Sequence, residues 1–183
     1  MTSTICEELS SLSIKENATI ENQSFLIKAK ECDEERYFMK VAMVAAMRSK
    51  DPAKQVGCVI ADENHRVVST GYNGFPIGCH DDVFPWTKDD PDELKNKHAY
   101  VVHAEMNALA NKRRHTLHNC TVYVTLFPCN SCTKLLIQSR VKRIVYYEDR
   151  DTWQYVASKK MLDMAGIKYD QYIPRNETEI IKL

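Results

Sequence analysis

Residues 120–148, CTVYVTLFPCNSCTKLLIQSRVKRIVYYE, decide the fold. The first stretch, CTVYVTLF, is short and rich in β-branched and aromatic residues, the composition of a strand. PCNSC interrupts it, and Asn130 or Ser131 offers a cap for the helix that TKLLIQSR continues. VKRIVYY then reads as a second strand. Toward the C-terminus, DTWQYVASKKMLDMAGI is a helix stopped at Gly166, and a last strand is expected near Ile167 to Ile173. Toward the N-terminus, VVHAEMNALANKRR is a helix of good formers beginning near Val102. Before it, VGCVIAD and RVVSTGYNG read as strands of a hairpin turned at ENH. DEERYFMKVAMVAAMRSK is a helix that Asp33 can cap and that Asp51–Pro52 ends. On this helix Tyr37, Val41, Val44, Ala45 and Arg48 follow a helical spacing, with Phe38 and Ala42 widening the face. Met39, Met43 and Met47 recur every four residues, as expected for packing against another helix or subunit. Strands alternating with helices at these lengths make an α/β layered domain. The opening, a helix followed by a hairpin, departs from a strict βαβ dinucleotide-binding order.

One segment resists this alternation. FPIGCHDDVFPWTKDDPDELKNKH, beginning at Phe75, carries three prolines and five aspartates, with a short polar helical piece at Pro91 to Lys97. A loop this long inside a compact domain usually serves a site. It is expected to act as a lid or binding loop rather than a linker.

Composition narrows the function. The chain has 183 residues, enough for one domain that buries roughly 70% of its unfolded surface. Residues 31–174 form the expected domain, with 1–30 a variable arm and 175–183 a polar tail. Lys and Arg number 25 and Asp and Glu number 25, so the net charge is zero. No domain-wide basic field is available for a long nucleic acid. No apolar stretch approaches the roughly 18 residues of a membrane span. The N-terminal residues lack the basic and apolar regions of a secretory signal, so a cytoplasmic location is expected. Seven cysteines, an odd number, are then core residues, metal ligands or nucleophiles rather than staples. Cys58 and Cys120 lie on strands and are expected in the core.

His103, Cys129 and Cys132 carry the chemistry. HAE and PCNSC each open a helix, so two adjacent helices can bring one imidazole and two sulfurs around one ion. That donor set suits Zn²⁺, and helix N-termini favour the thiolates. Three protein ligands leave one tetrahedral position open, where the metal lowers the pKa of a water. Glu105, two residues after His103, is suited to moving that water's proton if it stands beside the metal and not on it. A closed structural zinc site is the plainer alternative.

H-x-E followed by P-C-x-x-C resembles the signature of zinc-dependent deaminases. The likeness extends over about residues 33–174 and takes in RSKDPAKQVGCVI, GYNGFPIGC, DDVFPW, HAEMNAL, TLFPCNSC and MAGI. On these segments the chain resembles the deoxycytidylate deaminases. The resemblance implies a cytidine-deaminase-like three-layer fold, a mixed five-stranded sheet flanked by helices. It implies hydrolytic conversion of dCMP to dUMP and ammonia by a zinc-activated hydroxide, in a homo-oligomer, commonly a hexamer, activated by dCTP and inhibited by dTTP. Carried onto this sequence, it makes His103, Cys129 and Cys132 the zinc ligands and Glu105 the proton carrier. Backbone near Ala104 and the Thr125–Pro128 turn would read the pyrimidine edge. Asn73 would contact the sugar, although an Asn-Gly pair is also a common turn.

For the phosphate, the resemblance suggests Arg114 or its neighbours Lys112 and Arg113, with Arg48 and Lys50 as further cations. The tyrosine that relatives place after the fourth strand has no clear counterpart in VYYEDRDTW, and Arg150 stands in its neighbourhood. Lys50 and Asp51 of the SKDP loop, with Gly78, Asp81 and Asp82, are the expected effector site, to which Mg²⁺ would come with a triphosphate. Cys79, His80 and His98 form an incomplete second metal motif. Alternatives are a dCTP or dual dCMP/dCTP deaminase, an enzyme acting on bases in nucleic acid, and a non-catalytic zinc-bearing nucleotide sensor. The intact Glu105 counts against the sensor, since holding zinc does not require it.

Overall fold

The structure, a computed structural model, describes residues 33–174. The expected arm (1–30) and tail (175–183) lie outside the described residues. Helix α1 spans Glu34–Ala46 and is followed by strands β1 (Gly57–Ala61) and β2 (Val67–Tyr72). Two short 3₁₀ turns, Glu93–Lys95 and Lys97–Ala99, interrupt the long loop where a polar helical piece is expected. Then come α2 (Ala104–Asn111), β3 (Thr121–Leu126), α3 (Asn130–Gln138), β4 (Arg143–Glu148), α4 (Trp153–Ala165) and β5 (Lys168–Gln171). The elements are those read from the sequence, with ends drawn in by a few residues.

The five strands form one mixed sheet in the order β2-β1-β3-β4-β5. β1 is antiparallel to both β2 and β3, whereas β3, β4 and β5 are parallel. Parallel neighbours require a crossover, which α3 and α4 supply. Strand alternation then sorts the core into two layers. Val59, Ala61, Tyr123 and Val145 pack on α1 through Phe38, Met39, Ala42 and Met43. Cys58, Ile60, Val122, Val124 and Ile144 pack on the other helices through Ala104, Ala108, Leu136, Tyr155 and Leu162. The result is the three-layer arrangement expected, and Cys58 and Cys120 are buried as anticipated.

The buried face of α1 differs from the expected one. Tyr37 and Val44 are 50% and 53% exposed, and the contact stripe is Phe38, Met39, Ala42, Met43 and Ala46. Met39 and Met43 join the core but Met47 does not. The reason is a close approach of backbones. A Cβ on Gly57 would lie 1.9 Å from the Ala42 carbonyl oxygen and 2.6 Å from the Ala46 nitrogen. Only the small stripe of α1 can sit on the glycine of β1, and the aromatic at Phe38 then stacks on Tyr123 at 4.9 Å. Gly71 does the same for α2, since a Cβ there would be 2.2 Å from the Ala104 oxygen. Two glycines therefore set the height of two helices over the sheet.

Strand directions also set the position of the site. The start of β1 and the end of β2 share an edge with the ends of β3 and β4. Loops 47–56, 73–103, 127–129 and 149–152 gather there, as do the N-termini of α2, α3 and α4. Segments 62–66, 112–120 and 139–142 lie at the opposite edge.

Candidate metal centre

His103 and Cys129 occupy the residues just before α2 and α3, with extended backbone (ψ 156° and 169°) and no side-chain capping bond. Freed from capping, both side chains turn to each other across the two helix starts. Cys132, one turn into α3, completes the group. The His103 Nδ1 lies 3.4 Å from the Sγ of both Cys129 and Cys132. All three ligand atoms fall within 4.8 Å of one another, the only such group of metal-binding side chains among the described residues. Zn–N and Zn–S bonds of about 2.0 and 2.3 Å at a tetrahedral angle separate N from S by about 3.5 Å. The donor set and its spacing therefore fit zinc.

The electrostatics agree with a cation between the sulfurs. The Cys129 thiol is drawn down to about 4 by hydrogen bonds from Cys132 and then His103, against the cost of burial. The Cys132 thiol is pushed up by its hydrogen bond to Cys129, by burial and by the Glu105 charge. Two adjacent sulfurs thus share one proton, and a second thiolate needs a positive ion beside it. The His103 imidazole is raised by its hydrogen bond to Cys129, an effect that burial partly offsets. Glu105 is 4% exposed, and burial raises its pKa while the neighbouring His103 lowers it. A buried carboxyl whose proton is held more tightly than usual is suited to carry protons at a metal-edge site.

Residues 32–148 match the family described as cytidine and deoxycytidylate deaminase zinc-binding region. The chain belongs to this family. It is 59% identical over 146 residues to a probable deoxycytidylate deaminase of Caenorhabditis elegans, covering 80% of this chain and 73% of that protein. It is 43% identical over 141 residues to the deoxycytidylate deaminase of Homo sapiens, covering 76% and 79% of the two chains. Among solved structures it resembles a dCMP deaminase from cyanophage S-TIM5 in complex with dCMP and dUMP. That match has a TM-score of 0.60 at 24% identity and covers 74% of this chain and 94% of the other, a likeness of fold.

Around this deaminase centre the other expected residues take distinct places. Ala104 is buried at the start of α2, between His103 and Glu105. Thr125 is buried, and its hydroxyl accepts a hydrogen bond from the Gly57 N–H at 3.1 Å, joining β3 to the start of β1. Asn73 is buried with its amide engaged inside the protein. Its Oδ1 accepts from the Val56 N–H at 2.8 Å, and its Nδ2 donates to Lys54 O and to Asp51 Oδ2. Next to it, Gly74 and Val102 exchange backbone hydrogen bonds of 3.1 and 2.9 Å, which anchors the residue before His103.

Arg114 is not brought to the metal. It follows α2, which runs away from the centre, and its guanidinium lies by Asp62 and Glu63, at 3.5 and 3.7 Å, at the opposite edge of the sheet. Lys112 and Arg113 share that segment. Of the expected effector residues, Lys50 reaches Asp81 at 2.5 Å, which raises the lysine pKa, with Asp82 adding to the effect. Gly78 is exposed on the same loop with a positive φ of 88°. Asp51 differs, because its carboxylate is buried and paired with Lys97 Nζ at 2.6 and 2.7 Å. Its Oδ1 also accepts from the N–H groups of Ala53 and Lys54. Asp51 is therefore committed to holding the loop together. Neither Cys79, His80 nor His98 joins a metal group among the described residues.

Three side chains at this edge escape the motif reading. Lys97, in a run of polar residues, carries no pattern that foretells a buried partner 46 positions earlier. Lys54 bonds both oxygens of Glu148 at 2.6 Å. Tyr155, in the first turn of α4, is buried and feels the charges of Cys129 and Glu105.

Proposed function

We propose that this chain hydrolyses dCMP to dUMP and ammonia. The observation that carries the reading is the buried Glu105 carboxyl beside the His103–Cys129–Cys132 group, in a chain closely similar to deoxycytidylate deaminases. His103, Cys129 and Cys132 would hold Zn²⁺, which when bound supplies an acidified water. Glu105 takes one proton from the attacking water and passes it to ring N3 as oxygen bonds to C4. It then moves the remaining hydroxyl proton to the exocyclic nitrogen, and the C4–N bond breaks to release ammonia. One water is consumed for each ammonia released, and no redox partner is needed.

The surrounding residues suit a small substrate. The backbone at Ala104 and the Thr125–Pro128 turn stands at the metal edge, within the segment that would read a pyrimidine. Asn73 supports the sugar side of the pocket by holding loop 51–56 against Gly74. Regulation by dCTP and dTTP in a homo-oligomer, commonly a hexamer, belongs to the same reading. Lys50, Gly78, Asp81 and Asp82 are its surface candidates, and Mg²⁺ would arrive with the triphosphate. Among the described residues, no helix is long and apolar enough to cross a membrane.

The test is a deamination assay on protein of known zinc content, following loss of cytosine absorbance. dCMP, dCTP, deoxycytidine and CMP are compared, each with and without dCTP or dTTP and Mg²⁺. Preferred turnover of dCMP is expected, raised by dCTP and lowered by dTTP. Preferred turnover of dCTP would reassign the substrate, and no turnover at one zinc per chain would overturn the enzymatic reading.

A further inference from the structure

We propose that the buried Asp51–Lys97 pair is a positioning device for the metal centre: it holds His103, and not the two cysteines, where a tetrahedral zinc ligand must stand. The inference rests on the zinc reading above.

The three ligands are secured differently. Cys129 and Cys132 share one helix start, where the Thr133 N–H donates to Cys129 O at 2.9 Å. The turn that carries them is tied to the sheet, because the Phe127 N–H donates to Glu148 O at 2.8 Å. Their sulfurs keep their spacing within one element. His103 belongs to another segment. It stands on extended backbone before α2, with no side-chain capping bond, at the end of loop 73–103. Its place depends on what holds that loop.

Lys97 holds it. The Lys97 Nζ donates to both Asp51 oxygens, at 2.6 and 2.7 Å, with both side chains buried. The Lys97 N–H donates to Thr87 O at 2.7 Å, and the Lys97 carbonyl accepts from the N–H groups of Tyr100 and Val101 at 3.0 and 2.8 Å. The pair thus pins the turn from which residues 101–103 run. Asp51 is fixed in its turn by the N–H groups of Ala53 and Lys54 and by Asn73 Nδ2 at 3.1 Å. Asn73 precedes Gly74, which exchanges backbone hydrogen bonds with Val102. The bonds therefore run from Lys97 through Asp51 and Asn73 to Val102, and close a ring on the residue next to His103. The same loop reaches the cysteine side, since Lys54 Nζ bonds Glu148, whose carbonyl anchors Phe127. One brace sets the register between the two halves of the donor set. Stability alone does not require it, because an apolar pair of similar volume is often as stable as a buried ion pair. What the charges add is direction. Partners that orient a metal ligand from behind typically change metal affinity by about 10- to 100-fold.

The test replaces zinc with Co²⁺ in the full chain and measures affinity by competition with a chelator. Wild type, Lys97→Met, Lys97→Met/Asp51→Asn and Leu162→Ala are compared. The double variant removes both charges together, and Leu162→Ala is a core truncation on α4 that lowers stability without touching the brace. The sulfur-to-cobalt charge-transfer band follows the cysteines, and the ligand-field bands follow the whole tetrahedron. Affinity is expected to fall by about 10- to 100-fold in both Lys97 variants, with altered ligand-field bands and an intact charge-transfer band at saturating cobalt. Leu162→Ala is expected to match wild type in affinity and in both bands. In zinc-free wild type the Gly74 and Val102 amides are expected to resist hydrogen exchange, because the brace stands without the metal. Wild-type affinity and bands in the double variant, an equal loss in Leu162→Ala, loss of the charge-transfer band in the Lys97 variants, or fast exchange at Gly74 and Val102 would each overturn this assignment alone. A wild type that binds neither zinc nor cobalt overturns the reading beneath it.

Discussion

Glu105 is a carboxyl in the core of a sheet protein, and its position has a thermodynamic signature. Burial raises its pKa in the folded chain. The folded state therefore holds this proton in a range where the unfolded chain has released it. The linkage sign follows: stability is lost as pH rises from the unfolded carboxyl value through the raised folded one. Glu105→Gln is thus expected to raise the Tm of the metal-free protein at neutral pH, with the gain disappearing in acid below the ordinary carboxyl range. Thermal unfolding at several pH values checks this. His103 carries the opposite kind of group, raised by its sulfur partner. Protons compete with metal for a raised imidazole sooner as pH falls. Dialysis against a chelator is expected to strip zinc increasingly as pH drops through the histidine range, measured as metal per chain. These residues were legible because HAE and PCNSC each confine their ligands to one helix start. Arg114 and Asp51 were not, since the partner of a charged side chain depends on strand direction. Antiparallel β1 puts Asp62 and Glu63 at the edge that Arg114 reaches.

At the scale of elements, two contacts are expected to be costly to disturb. Gly57→Ala places a carbon where the Ala42 carbonyl already lies. The backbone of α1 must lift from β1, and a loss of about 1–3 kcal/mol or more is expected in denaturant unfolding. The alternation of strands and helices was readable from periodicity, but the buried face of α1 was not. Helical spacing fitted more than one stripe, and the choice was made by a glycine on another element. The Asp51–Lys97 pair joins loop 47–56 to the segment that leads to His103, with side chains only 3% and 7% exposed. Lys97→Met leaves an unpaired charge in the interior and is expected to cost about 3–5 kcal/mol. Adding Asp51→Asn should recover much of that loss, which a double-mutant unfolding cycle reads directly.

For the whole molecule, the mixed strand directions matter most. A hairpin reversed against a parallel run brings four loops and three helix starts to one edge, and the metal ligands, Glu105, Asn73, Tyr155 and Arg150 all lie along it. The sequence reading anticipated the layers and the metal group, because both rest on local patterns. It did not anticipate which cations share the edge with the metal, because that follows from the assembled sheet. In the proposed function, three side chains hold zinc and a fourth, off the metal, moves the protons of dCMP deamination. The most direct measurement is zinc per chain and dCMP turnover, taken together on wild type and Glu105→Gln. One zinc per chain in both proteins is expected, with turnover reduced by about 10²–10⁴ in the variant. Turnover surviving in Glu105→Gln, or zinc lost along with it, would contradict the account.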